Sequence, residues 1–393
     1  MLDMTTAGFA DGSDDTIDVR LNAAGDQLEL RVNGTQIFAG DLADINTFRV
    51  VGSGDDETLV LTETAGGLPS FAGDSTVLTD GGHTNATFTE RVVNAGIGPN
   101  NIGMHFEGNG GANALQVALT TARNTLYLPD TNEANSGVIT IDDGAGSGVI
   151  SFSFDELAPV TVTGGGGGDL LVDASSVPAV TALTIQDTGA ANDGVNLVDG
   201  DAAAFEDVTF SGYGRLIVVG GPGAETIDLI DLDVGAGSPL TQVVLDGDDA
   251  TDTDASADTL RVRSLPAAVN VTLLGGAGDD AFELDGNAGA AGGTVDNIAG
   301  QVFAAQNAAA GGAIPTGLTE EGTGNDTLTV EDTDDPAGDT VVVTATTIEG
   351  ITGSAASPDI TYGVDGQIET ITINSSDAGG DAFNVRSTRS GSV

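Results

Sequence analysis

The chain has 393 residues and a formal net charge of −50, because 60 acidic residues face only 10 basic ones, all of them arginine. This composition offers no basic stripe to meet phosphate groups, so nucleic acid is not expected as a partner. Cysteine is absent, which excludes disulfides and thiolate chemistry. Hydrophobic residues make up 39% of the chain and fall in short Val, Ile, Leu and Phe runs, which predicts a folded protein.

The first residues, MLDMTTAGFADGSDD, lack the basic and apolar regions of a signal peptide. If the protein is exported, we expect its signal to lie elsewhere and this chain to be a piece of a longer protein. No run approaches the roughly 18 apolar residues of a membrane helix, so membrane insertion is not expected.

A degenerate repeat runs along the chain, in which a small-residue turn ends in an acid or amide and a β-rich segment follows. In each copy we expect one apolar residue to point into the core and stack on its counterpart in the next copy. The copies are GSDDTIDV (12–19), GSGDDETLVL (52–61), GGGGGDLLVD (164–173), DTGAANDGVNLV (187–198), GGPGAETIDL (220–229), SADTLRV (256–262), GGAGDDAFEL (275–284), GTGNDTLTVED (322–332) and DAGGDAFNV (377–385). The predicted anchors are Ile17, Leu59, Leu171, Val195, Ile227, Leu260, Phe282, Leu328 and Phe383.

The spacing of the copies decides between two repeat architectures. Neighbouring anchors are mostly about 21 to 33 residues apart, whereas a calcium-filled β-roll needs consecutive nonapeptides. Segments 240–247 and 269–276 have the composition of additional strands between copies. The sequence therefore predicts an all-β fold, a right-handed parallel β-helix (β-solenoid) with irregular loops.

Two stretches interrupt the repeat. Residues 286–317 are rich in Gly and Ala, and the segment from Asp296 has an N-cap residue and apolar Ile298, Val302 and Phe303, which predicts one short helical insertion. Residues 94–136 have loop composition. We therefore expect an N-terminal β-rich region at 1–135 and the main solenoid at 136–393.

Calcium is the cofactor that this composition suggests, because Ca²⁺ prefers carboxylate and carbonyl oxygens and Gly-rich turns expose carbonyls beside acids. Segment 252–256 has an EF-hand spacing, but Ala257 and Arg263 occupy positions that need Gly and Glu, so that loop fails. The alternative for every acidic turn is a solvated turn whose side chains cap backbone N–H groups. The candidate ligands are Gly276, Gly278, Asp279, Asp280 and Asp285 in a first cluster, Asp246, Asp248, Asp249, Asp252, Asp254 and Asp258 in a second, and Asp332, Asp334, Asp335 and Asp339 in a third.

An enzyme is the alternative function, since β-helices also host polysaccharide lyases and hydrolases. Acids are too common here for a pair of carboxylates to be informative. The two histidines, His83 and His105, are expected in loops and show no catalytic motif, and there is no tryptophan to line a sugar groove. We therefore expect no enzymatic activity.

Segments 30–61 and 359–388 resemble parts of very large bacterial surface proteins, notably from planctomycetes, in which similar units accompany hemolysin-type calcium-binding repeats. Only 275–282 keeps the first eight positions of that nonapeptide complete. The resemblance implies an extracellular, cell-surface parallel β-helix that is stabilised by calcium. We expect a scaffold protein of a surface layer, fibre or adhesin that assembles with itself or belongs to a giant surface protein, with a cell-surface glycan as a further possible partner.

Overall fold

The structure is a computed structural model, and it describes residues 2–3, 12–71, 103–130, 135–142, 149–178, 180–200, 205–235, 237–247, 256–287, 292–305, 324–362, 368–376 and 380–387. These residues form strands and one 3-10 turn (Leu42–Asp44), with no α-helix among them. The strands are β1 (Leu2–Asp3), β2 (Thr16–Leu21), β3 (Gln27–Val32), β4 (Thr35–Asp41), β5 (Phe48–Val51), β6 (Thr58–Thr62), β7 (Met104–Glu107), β8 (Ala114–Ala118), β9 (Thr125–Pro129), β10 (Gly137–Asp142), β11 (Val149–Asp155), β12 (Val160–Thr163), β13 (Asp169–Asp173), β14 (Ala182–Asp187), β15 (Asn196–Asp199), β16 (Val208–Ser211), β17 (Arg215–Val219), β18 (Thr226–Leu229), β19 (Gln242–Asp246), β20 (Thr259–Val262), β21 (Asn270–Leu274), β22 (Ala281–Leu284), β23 (Val302–Ala304), β24 (Thr327–Asp332), β25 (Thr340–Val343), β26 (Thr347–Glu349), β27 (Ile360–Tyr362), β28 (Thr370–Ser375) and β29 (Ala382–Val385). The predicted all-β class is confirmed.

The chain forms two compact units, each with two sheets. Unit 1 contains Met1–Asp173 and Ala202–Gly214, and unit 2 contains Ala174–Asp201 and Arg215–Val393. In unit 1 the strand order is β1-β5-β7-β11-β10-β9-β13 in sheet 1A and β16-β12-β8-β6-β2-β3-β4 in sheet 1B. In unit 2 it is β17-β19-β21-β23-β27-β26-β25-β29 in sheet 2A and β28-β24-β22-β20-β18-β14-β15 in sheet 2B. The boundary expected at 135/136 falls inside unit 1.

Consecutive strands of unit 2 alternate between its two sheets from β17 to β24. The chain passes from β17 in sheet 2A to β18 in sheet 2B and continues in this way through β24. The strands that follow one another within a sheet pair in parallel, as β18, β20, β22 and β24 do. Segments 240–247 and 269–276 hold β19 and β21, which confirms the strands predicted there. The fold is therefore solenoid-like, and one strand from each sheet makes up a rung.

Side chains stack from rung to rung in the core of unit 2. The sheet 2B strands are short alternating segments such as TLRV and TLTV, whose second and fourth residues are buried. Because alternate side chains point to opposite faces of a strand, each strand contributes two residues to the core. One stack contains Leu183, Ile227, Leu260, Phe282, Leu328 and Ile371 in register. Four predicted anchors are thus confirmed as neighbours, and Ile17 pairs with Leu59 in the same way in unit 1.

Three predicted anchors lie outside the core. Leu171 and Val195 are only half-buried, and in β13 the core positions are Leu170 and Val172. A shift of one residue along a strand moves a side chain to the opposite face, so an alignment on the wrong residue selects the wrong face. Phe383 is 46% exposed on β29.

Antiparallel strands are added to the parallel rungs at four places, so the sheets are mixed. They are the β2-β3-β4 meander, the β9-β10-β11 meander, the β14-β15 hairpin and the β25-β26-β27 meander. These additions make the strand pairing less regular than the purely parallel β-helix that the sequence predicts.

The helical insertion predicted from Asp296 is wrong in the part that the structure describes. Residues 296–305 contain a turn, an isolated bridge at Ile298 and the strand β23, while 306–323 lie outside the described residues. Val302 and Phe303 pair with β21 and β27, and burial between two strands outweighs the local helical pattern.

The described residues form no helix of the length and hydrophobicity that crossing a membrane requires.

Candidate functional site

Acidic residues immediately before the strands of sheet 2B form a hydrogen-bonded series across the rungs. Every carboxylate after the first accepts the backbone N–H of the acidic residue one rung earlier. The bonds are Glu225 N–H to Asp258 Oδ1 (2.8 Å), Asp258 N–H to Asp280 Oδ1 (2.8 Å), Asp280 N–H to Asp326 Oδ1 (2.9 Å) and Asp326 N–H to Glu369 Oε2 (2.7 Å). We call these five residues the acid ladder.

The backbone of the acid ladder bonds in the opposite direction. The residue after each acid donates its N–H to the carbonyl oxygen of the acid one rung earlier: Thr259 to Glu225, Ala281 to Asp258 and Thr327 to Asp280, at 2.8, 2.8 and 2.9 Å. The first four ladder acids are at most 3% exposed. Buried backbone groups need partners, and these side chains supply them at the corner where the strand begins.

The same arrangement occurs at two other places. In unit 1 the N–H of Glu57 bonds to Asn113 Oδ1 at 2.9 Å, so an amide can replace the carboxylate. In sheet 2A the N–H of Asp339 bonds to Asp381 Oδ1, also at 2.9 Å. The acid or amide at the end of the repeat motif therefore acts as a cap between rungs.

Asp280 is the motif acid of GGAGDDAF, and its surroundings disfavour its ionised form. Burial raises the pKa of Asp280 to about 7, and the charges of Asp258, Asp326 and Asp279 act in the same direction. Its Oδ2 atom has no hydrogen-bond partner among the described residues, and a Cβ on Gly275 would lie 2.5 Å from this oxygen. A proton on Asp280 removes the cost of a buried charge.

The glycines of this motif form the predicted turn. Gly276 has a φ of 86°, and a Cβ on Gly278 would lie 1.7 Å from the carbonyl oxygen of Ser256. Phe282 follows and is fully buried, which confirms its role in the core. Glycine is therefore required here for backbone conformation and for close approach of a neighbouring rung.

The other acids of the first predicted metal cluster are used as caps. Asp279 is exposed, and its Oδ1 accepts the N–H of Asn325 at 2.9 Å. Asp285 is buried, and its Oδ1 accepts the N–H of Asn287 at 2.7 Å. The alternative interpretation of an acidic turn, a side chain capping backbone N–H groups, describes both contacts.

Only part of the second predicted cluster can be placed. Asp246 is fully buried at the end of β19, opposite Leu274, and Asp258 belongs to the acid ladder. Asp248, Asp249, Asp252 and Asp254 lie outside the described residues.

The third predicted cluster comes together in unit 2. Carboxylate oxygens of Asp332, Asp335 and Asp339 lie within 4.8 Å of one another, and we call these three residues the Asp332 cluster. Asp332 and Asp335 are 1% and 2% exposed. Asp334, which the sequence places in the same cluster, is exposed, and a Cβ on Gly292 would lie 2.5 Å from its carboxylate.

The Asp332 cluster concentrates negative charge at the end of β24. Burial raises the pKa of Asp332 to about 7, and its hydrogen bond with Asp339 and the charges of Asp335 and Asp339 add to the shift. The pKa of Asp339 is also raised, chiefly by burial, although this hydrogen bond lowers it. Asp332 and Asp339 therefore hold a proton more readily than isolated carboxylates do. Asp332 Oδ1 also accepts the N–H of Val295 at 3.2 Å. A divalent cation in place of the proton would neutralise the same charge.

A second group of acids in unit 2 was not expected from the sequence. Asp187, Asp193 and Asp233 also bring carboxylate oxygens within 4.8 Å, at a partly exposed surface. Asp233 Oδ2 accepts the N–H groups of Asp193 and Gly194, and Asp187 Oδ1 accepts that of Gly189. Asp187 ends β14 and Asp193 lies in the loop after it, whereas Asp233 lies in a loop 40 residues after Asp193. The spacing within DTGAANDG therefore does not indicate that these three residues meet.

Unit 1 contains a buried ion pair that the sequence does not indicate. Glu63 is 2% exposed and accepts hydrogen bonds from Arg123 Nε (2.8 Å) and from the N–H groups of Thr120 (2.7 Å) and Thr121 (2.9 Å). Burial alone would raise the pKa of Glu63, but these hydrogen bonds lower it to about 2. The carboxylate is therefore fully ionised and structural at neutral pH.

The structure places one of the two histidines. His105 is buried within strand β7, not in the loop expected from the sequence, and its Nδ1 lies 2.8 Å from Ser153 Oγ. His83 lies outside the described residues.

No family model, no curated protein and no solved structure matches the chain.

Proposed function

We propose that the chain is an extracellular structural scaffold, a module of a surface layer, fibre or adhesin that assembles with itself or forms part of a giant surface protein. The observation that carries this proposal is the acid ladder. One position of the repeat makes the same hydrogen bond in successive rungs, from Glu225 to Glu369. A function spread evenly over repeats is typical of structural arrays, in which each repeat is stabilised by its neighbours.

Calcium binding at the Asp332 cluster is the second part of the proposal. Ca²⁺ takes six to eight oxygen ligands, and the cluster offers three carboxylates within 4.8 Å. Asp332 ends β24 and Asp339 precedes β25, so a bound ion would tie the ends of two strands together. Because the ion would compete with the proton on Asp332, affinity should rise with pH.

Thermal unfolding with and without calcium tests this proposal. Addition of 5 mM CaCl2 should raise the melting temperature, and EDTA should lower it, at an ionic strength held constant with NaCl. Magnesium serves as the matched control, since it demands a smaller octahedral site. Equal melting temperatures in CaCl2, MgCl2 and EDTA would remove calcium from the proposal.

Electron microscopy of the purified chain tests the scaffold itself. Filaments or sheets would support a self-assembling protein, and single particles would support a module that acts only within a longer protein. A screen against extracellular polysaccharides tests the alternative. Cleavage that a single acid-to-amide change abolishes would replace the scaffold by a lyase or hydrolase, whereas glycan binding without cleavage would support an adhesin.

A further inference from the structure

Exposed large hydrophobic side chains are concentrated on two strands of the described chain. Ile37 and Phe38 on β4 are each 42% exposed, and Phe383 and Val385 on β29 are 46% and 58% exposed. Large side chains elsewhere in the rungs, such as Phe282, are buried. Exposed apolar residues grouped in this way mark a surface that contacts another molecule.

Both strands lie at the edge of a sheet. β4 is the last strand of sheet 1B and pairs with β3, and β29 is the last strand of sheet 2A and pairs with β25. An edge strand presents unpaired N–H and C=O groups that can pair with another chain. Proteins usually protect such edges with proline or with several charges, and the residues of β4 and β29 include only one of these, Asp41.

The two edges are complementary in charge. β4 contains Phe38 and, three residues later, the exposed acid Asp41. Phe383 lies in β29, and Arg386 follows directly after the last residue of this strand, three residues after Phe383. Arg386 is exposed and makes no ion pair with the described residues. Other arginines, such as Arg123, are held by carboxylates. Within the part of the chain that the structure describes, Arg386 is thus an unpaired positive charge beside an apolar edge strand.

The direction of the strands permits a parallel pairing. β4 is antiparallel to β3 and β3 is antiparallel to β2, so β4 runs in the same direction as β2 and β6. β29 runs parallel to β25, and β25 has the direction of β27 and β23. Each edge strand therefore keeps the direction of the parallel strands in its own sheet.

We propose that β29 of one copy pairs in parallel with β4 of a second copy, with Phe383 beside Phe38 and Arg386 beside Asp41. This inference rests on the proposed scaffold function and specifies how its copies join. The two surfaces differ, so a joined pair of copies still has one unpaired β4 and one unpaired β29 at its ends. Further copies can therefore add at both ends, and the contact propagates head to tail. Because every copy has a charge of −50, assembly should require salt to screen the repulsion.

Light scattering on size-separated protein tests the pairing in three steps. The wild-type chain should form particles larger than a dimer at 1 M NaCl. Phe383→Asp and Ile37→Asp should each remain monomeric, because each variant loses one edge. An equimolar mixture of the two should form dimers only, since one functional edge of each kind remains. Circular dichroism confirms that the variants are folded, as both side chains are exposed in the wild type.

Charge reversal distinguishes this contact from general apolar association. Arg386→Asp should raise the protein concentration required for assembly at least tenfold. Adding Asp41→Arg to the same chain should restore assembly at the wild-type concentration. Assembly that survives Phe383→Asp and Ile37→Asp would overturn the β4–β29 pairing while leaving a self-assembling scaffold. A wild-type chain that stays monomeric at every salt concentration would also overturn the pairing. Stabilisation by calcium in that monomer would still support a scaffold module.

Discussion

Replacing Asp280 by alanine removes the carboxylate that accepts the backbone N–H of Asp258 at 2.8 Å. Both residues are 1% exposed, so water cannot substitute for the lost acceptor. A buried N–H left without a partner costs about 1–3 kcal/mol, and we expect the free energy of unfolding to fall by about that amount. Asp280→Asn keeps a side-chain carbonyl oxygen for the bond and should lose less than about 1 kcal/mol near pH 6.

The pH dependence of stability gives a second measurement on the same variants. Burial raises the pKa of Asp280 from 3.8 to about 7 in the folded chain. Between these values the folded state holds a proton that the unfolded state has lost, so this group makes stability fall as pH rises through the window. Asp280→Asn has no such proton. Its stability should change less between pH 4 and pH 8 and should exceed that of the wild type at pH 8.

Urea denaturation followed by circular dichroism at pH 5 and pH 8 measures both effects. Asp334→Ala is the matched control, because Asp334 is an exposed acid of the same unit, and it should stay within about 0.5 kcal/mol of the wild type. The capping role would be refuted by an Asp280→Ala variant as stable as this control. The buried-proton argument fails if Asp280→Asn retains the pH dependence of the wild type.

Three further outcomes follow from the structure. Asp332→Asn should weaken calcium binding about tenfold or more in isothermal titration, because it removes a ligand charge, and Asp334→Asn should leave the affinity unchanged; equal losses would contradict the site. Glu63→Gln should lower the free energy of unfolding in urea by about 3–5 kcal/mol, because it leaves its buried arginine partner uncompensated. In the wild type the stabilisation by ionised Glu63 should be present above pH 4.5 and disappear as the pH falls towards about 2. If Glu63→Gln loses as much stability over this pH range as the wild type does, Glu63 is not the group responsible. Phe282→Ala should cost about 3–5 kcal/mol in the same denaturation experiment, whereas Phe383→Ala, on an exposed side chain, should cost less than about 1 kcal/mol; similar costs would show that the predicted stack does not carry the core.

The repeat motif predicts the strands well because its physical signal is local. Ile227, Leu260, Phe282 and Leu328 each follow a small-residue turn at a fixed offset, so alternation along the strand identifies the buried face. Leu171 shows where this approach fails: five glycines before it allow more than one alignment, and the core residues are its neighbours.

The role of the motif acid could not be predicted in the same way. Asp280 lies 22 residues from Asp258 and 46 residues from Asp326, and the groups that bond are a side chain and a backbone N–H. Every residue except proline offers such an N–H, so no residue type marks the partner. The same sequence is compatible with a calcium ligand and with a cap, and only the positions of neighbouring rungs distinguish them.

The Asp332 cluster was partly predictable. The short spacing of Asp332, Asp335 and Asp339 allows a loop to bring them together, and the sequence points to this segment. That Asp334 faces outward depends on the turn conformation, and the meeting of Asp187 with Asp233 depends on the packing of separate loops.

The acid ladder also bears on how such a chain can change its length. Residues 259–280 form a 22-residue segment that begins with one strand of sheet 2B and ends at the capping acid before the next strand. The Asp280 carboxylate of this segment accepts the N–H of the preceding ladder acid, and the Asp280 N–H bonds to the carboxylate of the next one. Duplicating or deleting the segment would therefore recreate equivalent hydrogen bonds at the new junction. Recombination between repeats can therefore lengthen or shorten the array by whole rungs, and no new interface has to arise at the junction.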